Sequence, residues 1–192
     1  MQQHLKTIAL GANLPSPAGP PRATLEAALA ALEARGIVVA ARSRWYRTPA
    51  FPPGSGPDFV NGAAALETDM TPGALLAALH EIERDLGRDR RRRWAPRACD
   101  LDLLTWGDRV EPDRATVAGW VALDPAAQAE TAPPVLVLPH PRLQERGFVL
   151  RPLADVAPDW IHPVLGLSVR DMLTALPADA LEGVAPLADG AD

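Results

Sequence analysis

Lysine occurs once in the chain, at Lys6, so a phosphate-binding loop ending in Gly-Lys-Ser/Thr is absent and a Walker-type nucleotide site is excluded. Cysteine also occurs once, at Cys99, which rules out an internal disulfide framework and a cysteine-based zinc site and fits a cytoplasmic location. No apolar run approaches the roughly 18 residues of a spanning helix, and Met1–Thr7 lacks the plan of a secretory signal, so no membrane association is expected. The histidines (His4, His80, His140 and His162) stand far apart, with no metal-ligand spacing between any pair. No Ser/His/Asp or Cys/His constellation emerges, and covalent catalysis has no support.

What remains is a chain of 192 residues, 47% of them apolar, long enough to bury a core without staples. One domain over residues 1–176 is expected, carrying an inserted excursion at 107–134, with a loose acidic tail at 177–192. The net charge of −5 hides a strong local contrast. Arg84–Arg97 holds seven arginines and two aspartates, a local +5, so the rest of the chain sums to −10. A broad basic face for nucleic acid is therefore absent, and a local site for a compact, highly charged anion fits better.

Thr7–Leu10 reads as a strand entering the tight Gly11-Ala12-Asn13 loop, and Leu14–Pro21 is proline-rich loop. Leu25, Ala28, Leu29 and Leu32 recur at helical spacing until Gly36. Ile37–Tyr46 and Phe59–Leu66 read as strands around a loop at Thr48–Pro57. Thr71-Pro72 supplies a helix start, with Leu75, Leu79, Ile82 and Leu86 on one face before Gly87. Asp100–Trp106 is the fourth core strand. The order βαββαβ predicts a ferredoxin-like α+β domain, an antiparallel sheet with helices packed on it. Val135–Leu138 could add a strand, and Ser168–Leu176 a short helix.

Asp100 and Asp102, one residue apart on a strand, project from the same face. Like charges so close call for a cation, and Mg²⁺ is held by one or two carboxylates together with phosphate oxygens and water. In isolation such a pair is more often a solvated strand face, but here it follows the most cationic stretch of the chain. Arginine offers forked donors to phosphate. Arg91 and Arg92 fit a solvated charge run, whereas Arg88, Arg90 and Arg97 are better placed for phosphate contact. Trp94 is open between core, stacking platform and lid. Asn61, in an apolar strand and on the face of Phe59, suits a flat heterocycle that needs stacking and edge hydrogen bonds, or an amide satisfied by backbone. His140 suits a phosphate contact or, more simply, a turn.

Several segments together carry a family resemblance. They are Ala9-Leu10-Gly11-Ala12-Asn13-Leu14, Ser43–Phe51, Asp58-Phe59-Val60-Asn61, and Ile82-Glu83 with Gly87-Arg88-Asp89-Arg90. The most specific is Arg93-Trp94-Ala95-Pro96-Arg97-Ala98-Cys99-Asp100-Leu101-Asp102-Leu103, followed by Leu138–Arg142 and Glu145–Leu153. From about Thr7 to about Leu173 the chain resembles the 6-hydroxymethyl-7,8-dihydropterin pyrophosphokinases, enzymes of folate synthesis that move pyrophosphate from ATP to a pterin alcohol and release AMP.

The resemblance implies that Asp100 and Asp102 hold two Mg²⁺ ions and that Arg88 and Arg97 stabilise phosphate charge during transfer. Arg90 and Trp94 would lie on a loop closing over ATP, with Glu83, His140 and Arg146 as nucleotide contacts. Asn61 would read the pterin edge between the rings of Phe59 and Phe148, and the backbone of Thr48, Pro49 and Phe51 would read the rest. The expected partners are ATP and the pterin, with the chain a monomer. Ala12 replaces a serine common in the family, His80 stands where some members have glutamine, and Phe59 replaces a common tyrosine. An RNA-binding module is the rival from another class. The chain has only 3 Phe, 5 Trp and 1 Tyr and no RNP-like pattern, which speaks against it.

Overall fold

The computed structural model describes residues 5–50, 56–87, 98–124, 127 and 131–188. Six strands, β1 (Lys6–Ala12), β2 (Val38–Arg42), β3 (Tyr46–Thr48), β4 (Phe59–Glu67), β5 (Asp100–Trp106) and β6 (Ala185–Pro186), form one sheet. Its order is β5-β1-β4-β3-β6, with β2 also paired to β4, and every pairing is antiparallel. The helices are α1 (Pro21–Glu33), α2 (Pro72–Asp85), α3 (Arg114–Val121), α4 (Gly147–Val156) and α5 (Val169–Ala175). The α+β class and the βαββαβ core are as expected.

Alternation along the strands divides the sheet into two buried faces. Ile8, Leu10, Val60, Ala64, Leu66, Leu101 and Leu103 pack against Leu25, Leu29 and Leu32 of α1 and Leu75, Leu79 and Ile82 of α2. Burial of each such leucine, isoleucine or valine contributes about 1.5–3 kcal/mol. The opposite face is covered as well, by Val149, Leu150 and Leu153 of α4 and Met172 of α5 against Ala63 and Leu104.

Local signals start and stop these helices. Thr71 caps α2 by accepting from the Ala74 amide (3.3 Å), Pro72 follows as first helical residue, and Gly87 at φ +89° ends the segment. Ser168 and Asp171 form a reciprocal capping box on α5.

Several segments differ from the sequence reading: Gly11 and Ala12 of the expected loop belong to β1, helix α4 lies where no helix is expected, and four others are rearranged. Ile37–Tyr46, expected as one strand, is broken at Ser43–Trp45. The Trp45 ring lies over Gly62, where a Cβ would come within 2.4 Å of it, so the backbone leaves the ladder and resumes as β3. The 107–134 excursion contains α3, capped by Asp113, although only Val117 of that helix is buried. Val135–Leu138 forms no strand; only Leu138 bridges, to Glu111. The tail expected to be loose returns to the sheet, because Pro186 and Ala185 pair with Tyr46 and Arg47 on the edge of β3 away from β4. Among the described residues no helix is long and apolar enough to cross a membrane.

Candidate active site

The register of the sheet builds the site. Gly11 of β1 is paired with Asp100 of β5 on one side and Asn61 of β4 on the other, and Asn61 is paired with Tyr46 of β3. Paired residues share a face, so Asp100, Gly11, Asn61 and Tyr46 form one row across four strands. Asp102 stands one step along on the same face, paired with Ala9. A Cβ on Gly11 would lie 2.7 Å from Asn61 Oδ1, so glycine is what lets the amide occupy its place. Two strand spacings, about 10 Å, separate the amide from the carboxylates.

The amide is oriented from its other end. Asn61 Nδ2 donates to Thr48 Oγ1 at 2.6 Å, and both side chains are buried. Thr48 in turn is held by β3, whose Tyr46 hydroxyl donates to Asp155 Oδ2 (2.9 Å). Arg44 forks onto the same carboxylate, Nε to Oδ2 at 3.0 Å and Nη2 to Oδ1 at 2.8 Å. Burial raises the Asp155 pKa, but these donors outweigh it and hold the carboxyl below its ordinary range. The Tyr46 phenol is pushed up by burial and by Asp155. This clasp ties β3 to the end of α4. Sequence reasoning missed it: Tyr46 is the only tyrosine in the chain, yet nothing local pairs it with an aspartate over a hundred residues away.

Around the carboxylates the segment after β5 brings a cationic wall. His140 N donates to Leu104 O (2.8 Å), and its Nδ1 accepts from the Arg142 amide (3.1 Å), so the neutral ring carries its proton on Nε2. Desolvation, then the Arg146 and Arg142 guanidiniums, push its pKa down to about 3. Arg146 is itself partly desolvated, and Asp102 and Asp100 are among the groups that favour its charge. Its guanidinium also lies over the Phe148 ring, 5.7 Å from the centroid. Phe148 is 41% exposed, and Phe59 and Pro49 are also accessible.

Two half-buried carboxylates on one face are hard oxygen donors suited to Mg²⁺. Among the described residues no group of three or more His, Cys, Asp and Glu side chains converges to make a full cage. The donor set therefore fits an ion completed by phosphate oxygens and water.

Glu83 is placed differently from the others. It lies on α2, behind the opposite face, fully buried, and its Oε1 accepts from the Leu101 amide at 2.8 Å. Phe51, Arg88, Arg90, Trp94 and Arg97 lie outside the described residues.

A family model described as 7,8-dihydro-6-hydroxymethylpterin-pyrophosphokinase matches residues 7–158. The chain is 38% identical over 186 residues to a 2-amino-4-hydroxy-6-hydroxymethyldihydropteridine pyrophosphokinase of Synechocystis, covering 96% of this chain and 83% of that protein. Proteins of the same name from Methylorubrum extorquens and Pseudomonas aeruginosa are each 38% identical, over 92% and 91% of this chain and 96% and 93% of their own. Among solved structures, the Plasmodium falciparum HPPK-DHPS wild type aligns with a TM-score of 0.60 at 15% identity, over 88% of this chain and 44% of that one. This chain thus spans less than half of that solved chain, and the likeness shows the fold. The chain belongs to the 7,8-dihydro-6-hydroxymethylpterin-pyrophosphokinase family and is an enzyme of that kind.

Proposed function

We propose that the open end of the sheet binds ATP beside 6-hydroxymethyl-7,8-dihydropterin and passes pyrophosphate from the first to the second, with AMP released, in a cytoplasmic monomer. Family membership makes pyrophosphate transfer to hydroxymethyldihydropterin, a step of folate synthesis, the reaction. The observation that carries the assignment of residues is the row Asp100–Gly11–Asn61. It sets the Asn61 amide and the carboxylate pair about 10 Å apart on one face, a span that suits a bicyclic heterocycle with a one-carbon hydroxyl arm.

In this reading Asn61 and the backbone of Thr48, Pro49 and Phe51 hold the pterin edge, between the rings of Phe59 and Phe148. Asp100 and Asp102 hold Mg²⁺, two ions with ATP bound. When bound, the metal neutralises phosphate charge and lowers the pKa of the pterin hydroxyl. His140 Nε2–H and Arg146 donate to the nucleotide. Arg88 and Arg97 stabilise the charge of the transferring group, while Arg90 and Trp94 close over ATP and exclude water. The pterin oxygen forms a bond to the β-phosphorus in line with the bond to the α-phosphate bridge, which breaks as AMP leaves. The hydroxyl proton passes to a carboxylate of the pair or to water. Glu83 acts through the backbone rather than on the nucleotide.

AMP formation from ATP, with and without the pterin, tests the reaction. Pterin-dependent AMP is expected, abolished by a chelator and restored by Mg²⁺. Asp102→Ala is expected to lose turnover by a factor of at least about 10³ while keeping its circular dichroism. ADP as product, or near-normal turnover in that variant, overturns the assignment.

A further inference from the structure

The chain does not end where the family match ends. Beyond residue 158 it runs on to a short 3₁₀ turn, Ala178–Leu181, and then to β6. This last segment is seated at three points around the proposed pterin pocket. At the first, a Cβ on Gly147 would lie 2.0 Å from the Ala180 carbonyl oxygen and 2.9 Å from Leu181 Cδ2. Only a glycine at the start of α4 admits that approach, and the next residue is Phe148. At the second, Gly183 sits at φ +70°, and a Cβ there would lie 2.5 Å from Pro49 Cγ and 2.9 Å from Cδ. At the third, Ala185 and Pro186 pair with Arg47 and Tyr46, and the Leu187 amide donates to Trp45 O at 2.8 Å.

Resting on the functional reading above, we infer that Ala178–Leu187 is a strap that sets the width of the heterocycle slot, joining the helix start that carries Phe148 to the strand end that carries Thr48 and Pro49. These two sides belong to different elements, and Asp155 at the far end of α4 ties them by side-chain hydrogen bonds. The start of α4 and the outer end of β3 are the free ends of that clasp. The strap spans those free ends, so a flat ring meets a slot already at its bound width. Fixing a site in advance lowers the ordering cost of binding. Among the described residues the strap's seats fall on Gly147, Pro49, Trp45 and β3, so its effect is expected on the pterin side.

The test uses the full chain with two substitutions at separate seats. Gly183→Val puts a branched side chain against Pro49 at positive φ, and Leu187→Pro removes the amide donated to Trp45. Fluorescence titration with 6-hydroxymethyl-7,8-dihydropterin, in the presence of a nonhydrolysable ATP analogue, reads the slot. Titration with the analogue alone reads the nucleotide side. Pterin binding about tenfold weaker in both variants, with analogue affinity unchanged, is the expected result. Pterin affinity unchanged in both variants, or pterin and analogue binding lost in equal measure, overturns the strap while leaving the reaction standing. A wild-type chain that binds the analogue but no pterin overturns both readings. Should one variant fail to fold, the other carries the same comparison.

Discussion

Gly11 shows how much of the site hangs on a missing side chain. Its neighbours in the row are the Asp100 carboxylate and the Asn61 amide, and a methyl group there would stand 2.7 Å from Asn61 Oδ1. That distance is inside van der Waals contact, and Asn61 is already tied to Thr48, so the amide would have to turn out of place. Alanine is otherwise at home in a strand interior, which makes the substitution selective. Gly11→Ala is therefore expected to keep the fold with a modestly lower thermal midpoint, a loss of about 1–2 kcal/mol in stability, while weakening pterin binding by about tenfold, a misplacement effect. Titration with the pterin checks it, and Thr48→Val, which removes the acceptor of the same amide, should act in the same direction. At this scale the sequence was informative about chemistry and silent about partnership. Asp100 and Asp102 stand out by their spacing together with the arginine-rich stretch before them, not by spacing alone. The Arg44–Asp155–Tyr46 clasp is a contact across more than a hundred residues, and only the fold brings it together.

At the scale of elements, the edge strand β5 carries the carboxylates, and an edge has amides with no strand to receive them. Glu83 answers this from α2 by accepting the Leu101 amide, which lies between Asp100 and Asp102 in the chain. The carboxylate is fully buried, so its loss leaves a buried donor unsatisfied and a cavity beneath the site. Glu83→Ala is expected to cost on the order of 2–3 kcal/mol in urea denaturation and to lower turnover, since the pair it steadies loses its fixed spacing. Glu83→Gln keeps an acceptor oxygen in the same place and should recover most of the turnover, a rescue that nucleotide contact through charge would not show.

Elements with a clean period were legible: β5 runs over the residues that alternation picks out, and α2 begins at the Thr71-Pro72 signal. Those that were not legible depend on neighbours far away in sequence. The β2/β3 break follows from the Trp45 ring over Gly62. Helix α4 opens on a glycine and contains Pro152, two residues that read as loop, and it persists because Val149, Leu150 and Leu153 are buried on the sheet. β6 is too short to show a period.

Across the whole molecule, the response to acid is set first by histidine. His162 is fully buried, and its Nδ1 accepts from the Val164 and Leu165 amides, both at 3.2 Å. The ring packs edge-on against Trp160, 5.6 Å between centroids, in the core that holds α4 and α5 to the sheet. Desolvation pushes its pKa down from the ordinary 6.5 to about 4. The folded chain therefore resists a proton that the unfolded chain accepts. Stability from this group is fully present above pH 6.5 and drains away as pH falls toward 4. His140, pushed down to about 3, acts in the same sense from 6.5 down to about 3. Asp155, held below its ordinary value of 3.8, begins to draw on stability only as the pH falls below about 5, and most of its share is lost beneath 3.8. Denaturation free energies measured from pH 7.5 to 4.5 should thus decline mostly with the slope of the two histidines. His162→Asn places an amide oxygen where Nδ1 accepts and removes the titrating ring. That variant is expected to be less stable at pH 7.5, for want of the Trp160 contact, yet to lose less on acidification. A wild-type slope in His162→Asn would mean that the acid response of this fold originates elsewhere.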